Sequence, residues 1–324
     1  MNIGLVGTGA IAAQHVAAFQ ELGGVGFRWV VSRREDAARD FSRQWGFEQS
    51  GTDLEVALRD SLVDLVVITS PSELHAEQTI LSLHAGKNVL VEIPAALNLV
   101  DAERVAELAG KLGLRVDVCH TMRSFPGIRE VRRRVQMGKL HIRQIAGHFA
   151  IPRRRNQGMN GKARSWRDNL LWHHGCHMVD VAMWVLGTSK VGGVSAILDE
   201  PCRGTGMIMD VALQFRSEDG PLVNHTLTYN AEHLCWEVRF IGQEETLTYR
   251  NGSLLDENGG SVVPFASWVD LRPQNKAILE SFTSGVSSEY EIGTVLPAMR
   301  VLHEAEISAT TNARDISSRQ GVKP

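Results

Sequence analysis

An apolar run that ends in two glycines one residue apart, and then passes straight into a helix-forming stretch, restricts this chain most. Residues 4–12 read GLVGTGAIA, so Gly7 and Gly9 follow the first strand candidate and Ala12 takes the third place of G-x-G-x-x-G/A. Gly7 permits a tight turn, Gly9 lets the backbone approach a pyrophosphate, and Ala12 is small enough for close helix–strand packing. The helix opens at Ala10 and Ile11, and its N-terminus attracts phosphate charge. A glycine pattern by itself is weak; the series around it makes it specific. Strands are predicted at 3–6, 27–31, 65–68, 88–91 and 115–119, with helices at 10–22, 35–45, 72–85 and 101–112 between them. The strands are continuous apolar runs, as expected when helices cover both faces of a parallel sheet. Residues 1–120 are therefore expected to form a doubly wound, dinucleotide-binding Rossmann domain.

The end of the second strand addresses which dinucleotide. An NAD site usually carries an acidic residue there, about 20 residues on, for the ribose hydroxyls. This chain reads Val30-Val31-Ser32-Arg33-Arg34. A small hydroxyl and two guanidinium groups suit a 2′-phosphate, so NADP is the expected cofactor. The plainer reading makes Arg33 and Arg34 solvated residues at a helix start.

At 324 residues the chain exceeds the size at which one core stops growing, so a second domain, 121–324, is expected. It reads as α/β, with strands at 142–151, 191–198, 207–216, 222–230, 236–241 and 245–250. The pairs Asp219-Gly220, Asn251-Gly252 and Asn258-Gly259 mark turns between strands, which favours an antiparallel sheet. Closing helices are predicted at 273–284 and 291–309, with a polar, loosely held tail from about Thr311. A net charge of -3 gives no general pull toward nucleic acid or an anionic membrane. Cys119, Cys176, Cys202 and Cys235 form no C-x-x-C pair and read as reduced, mostly buried thiols. Met1 leads directly into a strand, and no apolar run approaches the roughly 20 residues of a bilayer span. A soluble, cytoplasmic protein acting on a small molecule is the expectation.

Two stretches carry candidate chemistry. A helix predicted over 170–186 sets His173 and His177 four residues apart on one face, with Asp180 three further on. An imidazole near neutrality suits proton removal from an alcohol losing hydride, and Asp180 could orient it. A His-x-x-x-His pair can also hold zinc, but no third ligand stands at suitable spacing, so no metal is expected. The second stretch, IPRRRNQGMNGKARSW, gathers Arg153, Arg154, Arg155, Arg164 and Trp166. It is either a solvated basic loop or a carboxylate-binding one, since planar guanidinium groups grip carboxylates through paired hydrogen bonds.

The segments TSPSELHAEQ (69–78), VEIPAAL (91–97) and HHGCHMVD (173–180) resemble the Gfo/Idh/MocA oxidoreductase family. The resemblance implies a Rossmann domain followed by an α/β domain with a large open antiparallel sheet, often the interface of a homodimer or homotetramer. It also implies that Ser70, Pro71, His75, Glu92, Ile93 and Pro94 line the cofactor, and that Arg123 approaches the nicotinamide. Two departures stand out. Ile93 replaces the lysine of the family's Glu-Lys-Pro, and His173 replaces its aspartate four residues before the histidine. With SGTDLEVAL, LHAEQTI, RSW and LLWHHGCHMVD, these departures are similar to one branch of the family. Its members use NADP to oxidise the cyclic hemiacetal of a dicarboxylated semialdehyde to a lactone. By that resemblance His177, assisted or replaced by His173, takes the hydroxyl proton. Arg123, Arg153, Arg154, Arg155 and Arg164 hold a dicarboxylate, with Trp166 and His174 beside them. The resemblance is strongest from Met1 to about Gly187. Rival readings are a family dehydrogenase for a sugar, polyol or cyclic hydroxy acid, and a non-catalytic NADP-sensing regulator.

Overall fold

The computed structural model describes residues 1–319 except 159, 160, 162, 165, 168, 219 and 268. Asp219 of the expected Asp219-Gly220 turn thus lies outside the described residues. The chain divides into two compact units, Met1–Thr121 with Val269–Leu296, and Met122–Trp268 with Pro297–Pro324. The expected single cut at residue 120 therefore needs a correction, because 269–296 returns to the first unit. Two contacts explain the return. The helix that opens this segment packs on the first helix of the chain, and Asp117 bridges to Glu291.

The first unit is a six-stranded parallel sheet of order β3-β2-β1-β4-β5-β6. Its strands are β1 (Asn2–Val6), β2 (Gly26–Val31), β3 (Gln49–Gly51), β4 (Leu65–Ile68), β5 (Asn88–Val91) and β6 (Val116–Val118). Helices α1 (Ala10–Leu22), α2 (Glu35–Trp45), α3 (Leu54–Leu58), α4 (His75–His84) and α5 (Leu99–Leu112) connect them. The apolar runs predicted this: every residue of β4 is buried, as a strand covered on both faces requires. Asp53 caps α3 by accepting from the amides of Glu55 and Val56, and Asn98 caps α5 through Asp101 N. The strand β3 and the helix α3 were not expected; three and five residues are too short to show a period. α8 (Arg272–Ser284) completes this unit.

The second unit holds an eight-stranded sheet of order β14-β13-β12-β11-β7-β10-β9-β8. The strands are β7 (Ile142–Pro152), β8 (Val191–Leu198), β9 (Asp210–Ser217), β10 (Leu222–Thr228), β11 (Asn230–Gly242), β12 (Thr246–Arg250), β13 (Ser253–Leu255) and β14 (Ser261–Val263). All neighbours pair antiparallel except β7 and β10, which run parallel. β9 alternates buried and exposed residues, the mark of a sheet with one covered face. Helices α6 (Pro126–Gln136) and α7 (Cys176–Leu186) pack on each other, and α7 also packs on β7. α7 comes close because β7 carries Gly147: a Cβ there would meet the Met178 methyl at 2.5 Å. α9 (Ile292–Arg319) continues ten residues beyond the helix end expected at 309. Among the described residues, no helix is long and apolar enough to cross a membrane.

Candidate active site

In the first unit, four loops leave the carboxyl ends of adjacent parallel strands, where α/β sheets bind their ligands. After β1, Gly7 adopts φ +109°, and a Cβ there would lie 2.8 Å from the Thr69 carbonyl oxygen, so only glycine fits. Gly9 precedes α1, and no side chain caps the helix. No described atom beyond its chain neighbours lies within 4 Å of a Cβ built on Gly9. Ala10 and Ile11 open the helix, so their N–H groups lie in the first turn, which has no intrahelical acceptors. A pyrophosphate fits such a cradle by shape and by charge.

Ser32 follows β2 and its hydroxyl lies 3.2 Å from that of Thr8. Arg33 is exposed, and Arg34 starts α2 with its Nε 3.5 Å from Asp36 in an exposed pair. A carboxylate thus stands closer to this corner than Ser32-Arg33-Arg34 suggested.

After β4, Ser70 donates to Gln78 Oε1 at 2.5 Å, and Pro71 leads into a 3₁₀ turn, Ser72–Leu74. His75 is buried, with Nδ1 2.7 Å from Pro94 O and Nε2 2.9 Å from Ser70 O. Both ring nitrogens are engaged by backbone, so His75 ties the β4 and β5 loops together. Loss of solvent lowers its pKa, against the pull of the two carbonyls and the Glu92 charge. After β5, Glu92 Oε1 meets His15 Nε2 at 2.8 Å, and its Oε2 accepts from Ile93 N at 3.2 Å. Ile93 is buried and Pro94 follows it through a cis peptide.

In the second unit the histidines open α7. Residues Leu171–Gly175 form a π-helical turn that carries His173 and His174, and α7 proper begins at Cys176. Such wider turns occur frequently at functional sites. His174 stacks on Phe149 at 4.3 Å between centroids and lies 4.4 Å from the His173 ring. Arg153 Nη1 donates to His174 Nε2 at 3.2 Å and to Tyr229 Oη at 3.4 Å. Burial pushes the His174 pKa well down, and nearby His173 and Arg153 add to this. His174 is therefore a neutral spacer. His173 stacks on Trp166 at 6.2 Å, and the Arg164 guanidinium lies 4.7 Å over that indole. His177, largely buried, faces Trp236 with centroids 5.8 Å apart.

Asp180 and Arg123, expected as the orienter of an imidazole and as a substrate anchor, are brought together by the structure. Arg123 Nε donates to Asp180 Oδ2 at 2.8 Å, and Arg123 Nη2 bonds Asp180 Oδ1. Both side chains are 2% exposed, and a buried carboxylate needs paired donors, which the guanidinium fork supplies. The remaining arginines separate. Arg153 faces the histidines, whereas Arg154 is exposed, donates to Asn230 O at 3.1 Å, and stands beside the exposed Arg155. A cavity of about 460 Å³ is lined by Pro152, Arg153, Arg154, Arg155, Gln157 and Glu232.

The sequence reading passed over the aromatic walls Phe149, Tyr229 and Trp236, whose strands looked like ordinary sheet. It also passed over His15, whose signal was available: with Ala12, Val16 and Phe19 it lies on the buried stripe of α1.

Residues 1–120 match a family described as "Oxidoreductase family, NAD-binding Rossmann fold", and residues 126–263 match "Bacterial oxidoreductases, C-terminal". The chain is 30% identical over 315 residues to 4-carboxy-2-hydroxymuconate-6-semialdehyde dehydrogenase of Sphingobium sp., covering 95% of this chain and 98% of that one. In fold it is similar to GenD2 from gentamicin A biosynthesis in complex with NAD, with TM-score 0.84, 20% identity and coverage of 96% and 94%. Levoglucosan dehydrogenase in complex with NADH and L-sorbose gives TM-score 0.84 at 17% identity, with coverage of 96% and 97%. These two likenesses concern the fold alone. Site and relatives together define a nicotinamide-dependent dehydrogenase acting on a CH–OH group. The chain belongs to the Gfo/Idh/MocA oxidoreductase family.

Proposed function

We propose that this enzyme is an NADP-dependent dehydrogenase of aromatic catabolism in the protocatechuate 4,5-cleavage route. It oxidises the cyclic hemiacetal of 4-carboxy-2-hydroxymuconate-6-semialdehyde to 2-pyrone-4,6-dicarboxylate. The observation that carries the reading is the set of histidines on the π-turn and first turn of α7, one of them bonded to an arginine of the basic loop. A relative of nearly full coverage whose name gives this substrate supports it.

The Gly7–Ile11 turn would hold the pyrophosphate, and Ser32, Arg33 and Arg34 the 2′-phosphate. Bound there, the dinucleotide supplies the hydride acceptor. The hemiacetal carbon loses its hydrogen with the electron pair, His177 accepts the hydroxyl proton, and the carbon–oxygen bond becomes the lactone carbonyl. His173 assists or replaces His177, its ring braced by Trp166. Arg153, oriented by His174 and Tyr229, anchors one carboxylate; Arg154, Arg155 and Arg164 are the candidates for the other. Ile93 stands where the family has its lysine and offers no proton acceptor, which leaves the base work to imidazole.

The test is NADPH formation from the enzymatically generated semialdehyde, with the product identified by mass spectrometry. Rapid turnover to the dicarboxylated pyrone is expected. Turnover only with neutral sugars or polyols would refute the substrate, and NADPH binding without turnover on any hydroxy compound would favour a sensor.

A further inference from the structure

The segment 269–296 returns to the first unit carrying two buried amides, Gln274 and Asn275, both 0% exposed. Burying uncharged polar groups there costs free energy unless they are bonded, and their bonds run in one direction. Gln274 Nε2 donates to Asn275 Oδ1 at 3.4 Å. Asn275 Nδ2 lies 3.2 Å from His15 Nδ1, and His15 Nε2 lies 2.8 Å from Glu92 Oε1. A carboxylate can only accept, so the His15 ring hydrogen must sit on Nε2. Nδ1 is then the acceptor, and the amide nitrogen of Asn275 is the group that donates to it. Every donor in the chain points toward the carboxylate, and aligned bonds polarise one another. The other oxygen of Glu92 accepts from Ile93 N, within the loop that leaves β5 at the ligand-binding edge of the sheet.

We infer that Gln274, Asn275 and His15 form a one-way hydrogen-bond relay that positions the Glu92 carboxylate, and with it the 92–94 loop, for dinucleotide binding. His15 and Asn275 are positioning residues, and the relay is the purpose of the chain's return to its first unit. This inference rests on nicotinamide binding by the family and is independent of the substrate proposed above.

The groups facing Glu92 are His15 from α1, His75 from α4 and Cys119 after β6. Burial pushes the Glu92 carboxyl up, and the hydrogen bonds it accepts from His15 and Ile93 N hold it below its usual value. Cys119 Sγ lies 3.7 Å from His15 Nε2, so His15, Glu92 and Cys119 stand close enough to cage a metal. Burial and the Glu92 charge drive the Cys119 pKa well up, which keeps the thiol protonated, and His15 Nε2 already bears hydrogen. The trio therefore serves the relay.

The test is fluorescence titration of the intact enzyme with NADPH or NADH, whichever the wild type binds more tightly, between about pH 5 and 8. Wild type should bind with an affinity flat across that range. His15→Leu should bind about 10- to 100-fold more weakly, since a buried charge loses its donor. Its affinity should also fall at acidic pH, because burial then dominates and the Glu92 carboxyl titrates within the window. His15→Gln, whose amide donates toward the same oxygen, should restore both affinity and flatness. If His15→Leu does not fold, Asn275→Ala decides on the same readouts, with an expected loss of about 3- to 10-fold. Unchanged affinity in the folded variant overturns the inference. So does weakened binding with a flat pH profile, which is the signature of general loosening.

Discussion

Glu92 in the first unit and Asp180 in the second are both carboxylates inside a candidate site, and the protein handles their charges in opposite ways. Asp180, 2% exposed, is neutralised by the guanidinium of Arg123, equally buried. Glu92, 14% exposed, receives uncharged donors from His15 and from Ile93 N. Deep burial of a lone charge costs several kcal/mol, so a counter-charge is required where no water reaches. Near the sheet edge, dipoles suffice and the negative charge survives. The first arrangement braces α7 against the turn that precedes α6; the second keeps a carboxylate at the edge where such sheets bind ligands. A carboxylate's sequence neighbours do not distinguish these two cases, whereas its depth does.

The largest expected effect tests whether α7 carries chemistry as well as bracing. His177→Ala should lower kcat by about 10²–10⁴-fold with folding intact, measured by NADPH production under saturating substrate. Near-normal turnover would leave α7 as scaffold only. The bracing itself is broken by Arg123→Met, which strands a buried carboxylate and should cost about 3–5 kcal/mol in urea unfolding. A double variant, Arg123→Met with Asp180→Leu, should recover most of that loss; a double variant no more stable than the single would show that the ion pair is not the cause.

His225 sharpens the comparison as a buried titratable group for which no counter-charge stands among the described residues. It lies in β10 against Met178, and burial pushes its pKa down to about 4. Unfolded, the ring titrates near its ordinary value of about 6.5, so the unfolded chain binds the proton first. Stability is therefore whole above about pH 6.5 and declines to about pH 4, by at most about 3 kcal/mol. His225→Leu should flatten this acid slope in denaturant midpoints taken across the range. An unchanged slope would assign it to other groups. The smallest effect concerns the cofactor corner: Ser32→Asp should shift preference from NADP toward NAD by about tenfold or more, a difference of about 1.4 kcal/mol. Equal NADP use by the variant would place 2′-phosphate recognition elsewhere.

Much of the first unit was legible because its signals are local. Gly7 needs a positive φ, β4 is apolar throughout, and the predicted bounds of 10–22 and 35–45 match α1 and α2. β3 and α3 were not legible, because each is shorter than the period that would reveal it and neither is an unbroken apolar run. In the second unit the histidine helix was visible as a spacing, but its π-turn was not, since that widening follows from packing rather than composition. Tyr229 illustrates the same limit. It read as the last residues of a strand, and the structure makes it the single residue between β10 and β11, bonded to Arg153 beneath His174.

By itself the sequence determined the parallel nucleotide fold, the Gly7–Gly9 turn, the family, and the helix on which the histidines ride. Each rests on contacts between residues close in the chain: a turn's φ, a helix stripe, an unbroken apolar strand. Tertiary structure alone decided the partners of charge. It gave Arg123 to Asp180, 57 residues away, and brought Asn275 to His15 across 260. Such pairings are chosen by burial, because a polar group shut off from water must bond to whatever the folded chain brings within reach, and no local pattern records which residue that will be.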